Sequence, residues 1–261
     1  MCGLLDPDVY SRFAGWLGDH PHTVITQHLL RHGLCRVWLY GEASAPVGAI
    51  VQGDGLPGEP SGFGRDPAVL WRLLQQVEGW FCLLVESECA EAVGARFEQE
   101  LGVHVSYLDD VCHVLDAPPP SLSDPAVRLL TPADLSLLEA APVELRESCW
   151  PSVEALLHEG VVACAVVDGR VAATALSSAH SQRYADVGVY TAEAHRGRGY
   201  ATTAASLVAR RLQERGLTPV WGAGSHNIAS LRVAGKLGFR EVGRRTYVIA
   251  DEYREMLDRR R

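Results

Sequence analysis

The chain has 261 residues, 47% hydrophobic and 21% charged, which is the composition of a folded globular protein of one large or two ordinary domains. Its formal charge of -8 argues against a nucleic-acid partner, which normally needs a basic face, although a local basic patch can still hold a small polyanion. No apolar run approaches the ~18 residues of a membrane span, and MCGLLDPDVY lacks a basic segment followed by an apolar core, so the expectation is a cytoplasmic protein without a membrane partner.

Residues 5–33 carry helical spacing, with Tyr10, Phe13, Trp16 and Leu17 on one stripe and Asp6 and Asp8 near its start. His20, His22, His28 and His32 lie nearby. Their spacing matches no metal-binding helix, so they read as surface or half-buried side chains and no metal is expected. Residues 35–40 and 46–51 read as neighbouring strands, and 52–67, rich in glycine and proline, as an irregular loop. A helix over 68–77, a buried strand over 80–85, a helix over 89–101 and an alternating stretch over 103–115 follow. Mixed strands and helices in this order imply an α/β protein, a mixed sheet layered with helices.

The segment 116–125, DAPPPSLSDP, is stiff, extended and unable to build a core, so it reads as a linker between a first domain, 1–115, and a second, 126–261. In the second, a strand at 126–130 is followed by Thr131 and Asp134 at the spacing of a helix start. Glu144 to Trp150 is a polar-aromatic patch, and a short helix covers 152–158. Strands at 161–167 and 171–177 flank the turn signal Asp168-Gly169. A strand over 219–222, a helix over 227–237 stopped by Gly238, and a closing strand or hairpin over 239–249 complete the order. The seven cysteines are scattered and form no CxxC, so they read mostly as small buried side chains. Cys149, in LRESCW, has a second reading as a nucleophile, but no histidine partner motif accompanies it.

Chemistry concentrates at 186–216, a short apolar strand, the loop Arg196-Gly197-Arg198-Gly199, and a helix. Unpaired N–H groups and aligned peptide dipoles at a helix start favour an anion. Gly197 and Gly199 let the backbone approach it, and Arg196 and Arg198 attract it over longer range.

The loop Arg196-Gly197-Arg198-Gly199-Tyr200-Ala201 fits R-x-x-G-x-G/A, and about thirty residues on come Asn227-Ile228-Ala229-Ser230 and Lys236-Leu237-Gly238-Phe239. Together they resemble the two signatures of the GCN5-related N-acetyltransferases, over roughly 127–249. The resemblance implies acetyl-CoA as cosubstrate, with its pyrophosphate on the N–H groups of Gly197, Arg198, Gly199, Tyr200, Ala201 and Thr202. It implies the pantetheine arm along Val189, Tyr190 and Thr191, with a polar contact from Asn227. It also implies direct attack of an amine on the thioester carbonyl, with an N–H near Val189 meeting the oxyanion. An alkylamine with a pKa near 10 is roughly one part in a thousand neutral at pH 7, so a base or a desolvating pocket is needed.

This sequence departs from the better-known members in having Gly222 where many carry a glutamate and Ala234 in place of the usual tyrosine acid. The candidates left for acid-base work are Glu144, Glu147, Tyr190 and His226, with His226 and Glu147 ranked first. The first domain echoes the same strand and helix order without the glycine loop. It reads as a degenerate copy that shapes the acceptor pocket, which leaves homodimer and internal pseudo-dimer both open. The competing functions are a catalytically silent acyl-CoA-binding regulatory module and a nucleotide-binding Rossmann unit, the latter disfavoured because Thr202 takes the third-glycine position. The amine acceptor is not legible.

Overall fold

The computed structural model describes residues 2–251. The first part of the chain forms β1 (Cys2–Leu4), α1 (Tyr10–Leu17), α2 (Val24–His32), β2 (Cys35–Glu42), β3 (Ala45–Gly53), β4 (Ser61–Gly64), α3 (Pro67–Leu74), β5 (Cys82–Glu86), α4 (Ala90–Leu101) and β6 (Val105–Val114). The second forms β7 (Val127–Leu129), α5 (Leu135–Glu139), α6 (Val153–Glu159), β8 (Val162–Val167), β9 (Arg170–His180), β10 (Tyr184–Thr191), α7 (Tyr200–Glu214), β11 (Thr218–Gly224), α8 (Ile228–Leu237) and β12 (Arg240–Ala250). No helix among the described residues is long and apolar enough to cross a membrane.

Local signals set the boundaries. Asp66 accepts from the N–H groups of Ala68 and Val69 at the start of α3, and Ser152 caps α6. Thr131 and Asp134 form a reciprocal capping box ahead of α5. Asp168 and Gly169, at φ 50° and 74°, make the tight turn between β8 and β9.

All twelve strands join one sheet in the order β1-β2-β3-β4-β5-β12-β6-β11-β10-β9-β8-β7. Read outward from its centre, the sheet repeats itself, with β12-β5-β4-β3-β2-β1 on one side and β6-β11-β10-β9-β8-β7 on the other. The last strand of each half has crossed over. β6, from the first half, lies against β11, and β12, from the second, lies against β5, while β12 and β6 pair from Arg240–Val114 to Ala250–Val105. The chain therefore divides at 116–125 by sequence, but the sheet does not divide there. Nor does that segment hang free: Ser206 Oγ and Arg210 Nη2 on α7 donate to the Pro120 and Pro119 carbonyls, and Gln213 Nε2 donates to those of Leu115 and Ala117.

Alternation along the strands gives the sheet two faces. Ala185, Val187 and Trp221 face α7 and α8, where Ala204, Ala205, Val208, Ala209 and Leu212 are fully buried; the alanines let the helix approach the sheet closely. Complete burial of Val208 and Leu212 contributes about 1.5–3 kcal/mol each. Val220 faces the other way and packs with Cys112, Val114 and Val24 of α2, so a helix of the first half covers the second half's sheet.

Two expectations are corrected. The stretch 52–67 contains a strand, β4, hidden by its glycines and specified by pairing with β3. His28, read as surface or half-buried, is fully buried because both ring nitrogens have backbone partners.

Candidate functional site

The site begins where two strands part. β10 and β11 run parallel through three rungs, from Tyr184–Thr218 to Asp186–Val220, and pairing between them then stops, while β10 continues along β9 as far as Thr191. Among the described residues the β10 edge turned toward β11 beyond Asp186, which includes Val189, Tyr190 and Thr191, thus has no strand partner and offers backbone donors and acceptors.

The glycine-rich loop follows that edge. Gly197 and Gly199 sit at φ 78° and 84°, and a Cβ at either would meet nothing within 4 Å, so the loop is an open cradle. Gly199 is the N-cap of the 15-residue α7 and supplies no capping side chain, which leaves the first amides of Tyr200, Ala201 and Thr202 available to an anion. Arg196 and Arg198 are exposed, and Arg196 Nε donates to the Thr191 carbonyl at 3.4 Å, tying loop to strand. Asn227 caps α8, its Oδ1 accepting from the Ser230 N–H at 3.1 Å. These features fit an elongated ligand with a phosphate at one end and amide groups along its length.

The equivalent place in the first half is filled from within. β4 and β5 share one parallel rung, Ser61–Leu84, before they part. Arg245, delivered by β12 and 3% exposed, donates to the carbonyls of Gly62 on β4 and Leu84 on β5 at 2.6 and 3.2 Å. Its guanidinium lies 4.6 Å from the Phe63 ring centre and 3.3 Å from Glu86. At the start of α3, Pro67 lacks an N–H and the Asp66 carboxylate already occupies the next amides, so a phosphate is excluded there.

On the face opposite α7, in register with Val220, lies Asp186. Its carboxyl accepts a very short hydrogen bond from Ser178 Oγ. Ser178 is the extra residue of a bulge in β9, since Asp186 pairs with Ala179 and Val187 with Ser177. Burial pushes the Asp186 carboxyl up to about 6, against the lowering effect of the Ser178 bond and with a further push from Asp110. Asp110 comes from β6 opposite Gly224 and shares the face of Cys112, which is opposite Gly222. Its Oδ2 lies 3.7 Å from where a Cβ on Gly222 would stand. The bare position in β11 thus has a carboxylate beside it, brought by the exchanged strand.

Neither aspartate was among the sequence candidates. Asp186 carries a local signal, as an acid between buried Ala185 and Val187 in an alternating strand. Asp110 has none, because its place depends on strand exchange. Of the ranked candidates, His226 and Glu147 are exposed, as is Glu144, and Tyr190 is 38% exposed. Ala234 is fully buried in α8, so that position faces the core. Among the described residues the seven cysteines form no disulfide, and five are buried. Burial first, then Asp186 and Glu147, push the Cys149 thiol up to about 12, which holds it protonated and weighs against a nucleophile there.

A mixed sheet that parts over an uncapped, glycine-lined helix start defines an α/β protein with a built anion cradle. Residues 132–248 match the family model of the GNAT acetyltransferases, so the second half of the chain carries a GNAT acetyltransferase domain. No curated protein matches the chain. Among solved structures it is similar to a GCN5-related N-acetyltransferase-like protein from Streptococcus suis at 20% identity, covering 93% of this chain and 98% of that one with a TM-score of 0.69. A putative GNAT-family acetyltransferase from Novosphingobium aromaticivorans is 23% identical, over 88% and 97%, with a TM-score of 0.59. A tandem GNAT protein from the clavulanic acid biosynthesis pathway is 17% identical, over 95% and 97%, with a TM-score of 0.58. At these identities the likeness concerns the fold, and it extends that fold to nearly the whole chain.

Proposed function

We propose that the protein transfers an acetyl group from acetyl-CoA to a primary amine, of a small molecule or a protein, by direct attack. The observation that carries this reading is the open cradle of Gly197 and Gly199 set beside the unpaired β10 edge. The amides of Gly197 to Thr202, with Arg196 and Arg198, hold the pyrophosphate. In this reading the edge from Val189 to Thr191 pairs with the pantetheine arm, and an N–H near Val189 meets the charge developing on the carbonyl oxygen. When bound, acetyl-CoA supplies the activated acyl group.

Asp186 is the proton acceptor in this reading. A carboxyl raised to about 6 is ionised at pH 7 and a stronger base than an ordinary aspartate, so it takes the proton that the attacking nitrogen gives up as the C–N bond forms. Ser178 bonds it, and the Cys112 and Cys149 thiols stand close by. In this reading Asp186 takes the acid-base role for which His226 and Glu147 were the first candidates; both of those side chains are exposed in loops.

The test is incubation with acetyl-CoA and a panel of primary amines while following release of free thiol. Acceptor-dependent release supports the transferase. Tight acetyl-CoA binding without release for any amine supports the second reading, a silent acyl-CoA-binding regulatory module, which the bare Gly222 and buried Ala234 favour.

A further inference from the structure

The bulge that places Ser178 on Asp186 is clamped from outside its own half. His28 of α2 is fully buried, and its Nδ1 accepts from the His180 N–H at 3.1 Å. That bond puts the imidazole proton on Nε2, which donates to the Cys149 carbonyl at 3.2 Å. The Cys149 N–H in turn donates to the Ser178 carbonyl at 3.0 Å, and Ser178 Oγ bonds Asp186. One imidazole thus fastens both the strand residue two beyond the bulge and the loop segment that packs on it. Trp150 seals the clamp. Its ring centre is 4.5 Å from that of His28, 5.5 Å from His32 and 5.2 Å from His180, and its Nε1 donates to the Ser177 carbonyl at 2.8 Å.

We infer that His28 is a positioning residue for the proton acceptor: through Cys149 and His180 it fixes the β9 bulge, and thereby the Ser178 hydroxyl on Asp186. The inference rests on the acetyltransferase reading for its consequence in catalysis but not for its geometry. Each step of the chain is a direct hydrogen bond, and the clamp gives the first half of the molecule a hold on the acceptor wall of the second. It works only while His28 is neutral, because a proton on Nδ1 displaces the His180 N–H. The groups around it keep it so. Burial, His32 and Arg31 push His28 down to about 4, and burial, His28, Arg215, Arg31 and His32 do the same to His180. On the Asp186 side the surrounding groups are Asp110 and the Cys112 and Cys149 thiols, with Glu147 beyond Cys149.

The test follows the Asp186 carboxyl carbon by NMR in protein labelled at aspartate, with Asp186→Asn identifying the signal, in wild type, His28→Leu and His28→Gln. Glutamine reproduces one donor and one acceptor; leucine reproduces only volume. The Ser178 bond favours the ionised carboxyl, so its loss in His28→Leu raises the Asp186 midpoint by roughly half a unit or more, and His28→Gln brings it back. In the acetyl-transfer assay His28→Leu lowers kcat about tenfold, more at pH 6 than at pH 8, with acetyl-CoA affinity unchanged. Should His28→Leu not fold, His28→Met, which keeps the volume but no N–H donor, takes its place: it must raise the midpoint, as Ser178→Ala does, while His28→Gln leaves it in place. A midpoint unmoved by His28→Leu, or moved equally by leucine and glutamine, overturns the inference. Wild type that binds no acetyl-CoA, or transfers to no amine, overturns the acetyltransferase reading instead, and the carboxyl titration still decides whether His28 holds the bulge.

Discussion

Asp186 is the group on which the proposed proton transfer rests, and its environment makes two opposite demands on it. Because the folded state raises its pKa, the folded protein binds more protons than the unfolded chain between about pH 4 and 6, so this group lowers stability as pH rises through that window. Replacing it with asparagine keeps a partner for Ser178 and removes the desolvated charge. Asp186→Asn is therefore expected to be more stable than wild type at pH 7, on the order of 1–3 kcal/mol by denaturant titration, while losing about 100-fold or more in kcat. In wild type kcat/KM should fall as pH drops below about 6, where the carboxyl takes up its proton, and that acid limb should vanish in the variant. A variant both less stable and fully active would place the proton acceptor elsewhere.

At the level of elements, two helices in equivalent positions show what a helix start can do. α7 begins at a bare Gly199 and leaves its amides for a ligand, whereas α3 begins at Asp66-Pro67 and satisfies its own. α8 is a third case, in which Asn227 closes the helix end and stands where the resemblance places a pantetheine contact. Asn227→Ala should cost about 1 kcal/mol of stability in urea unfolding through loss of the cap. If the side chain also meets the ligand, acetyl-CoA affinity should fall in the same variant; unchanged affinity would leave it a cap alone. Such elements were legible because their signals are local. The Thr131–Asp134 box, the Asp168-Gly169 turn and the glycine loop each state their conformation within a few residues. β4 was not legible, since Gly62 and Gly64 erase its pattern and its neighbours specify it instead. His28 read as a surface or half-buried histidine because its two partners lie 121 and 152 residues away.

At the scale of the whole molecule the decisive feature is the exchange of β6 and β12, and no sequence pattern announces it. It brings Asp110 to the second half's site and Arg245 to the first half's slot, so one crossover both equips one half and closes the other. Both sheet partners of β12, β5 and β6, belong to the first 115 residues. Residues 116–261 expressed alone should accordingly aggregate, with both edges of β12 and one edge of β11 left open, and should regain a monodisperse peak by size-exclusion chromatography when co-expressed with residues 1–115. A folded, monomeric 116–261 would show that the exchange is dispensable.

The same asymmetry sets the number of ligands. Calorimetric titration of the intact chain with acetyl-CoA should give one site per chain, and Gly199→Glu, which puts a side chain and a negative charge into the cradle at a left-handed backbone position, should abolish it in a protein that remains folded. No binding by the wild type, two sites per chain, or undiminished affinity in folded Gly199→Glu would contradict an acyl-donor site built on this loop.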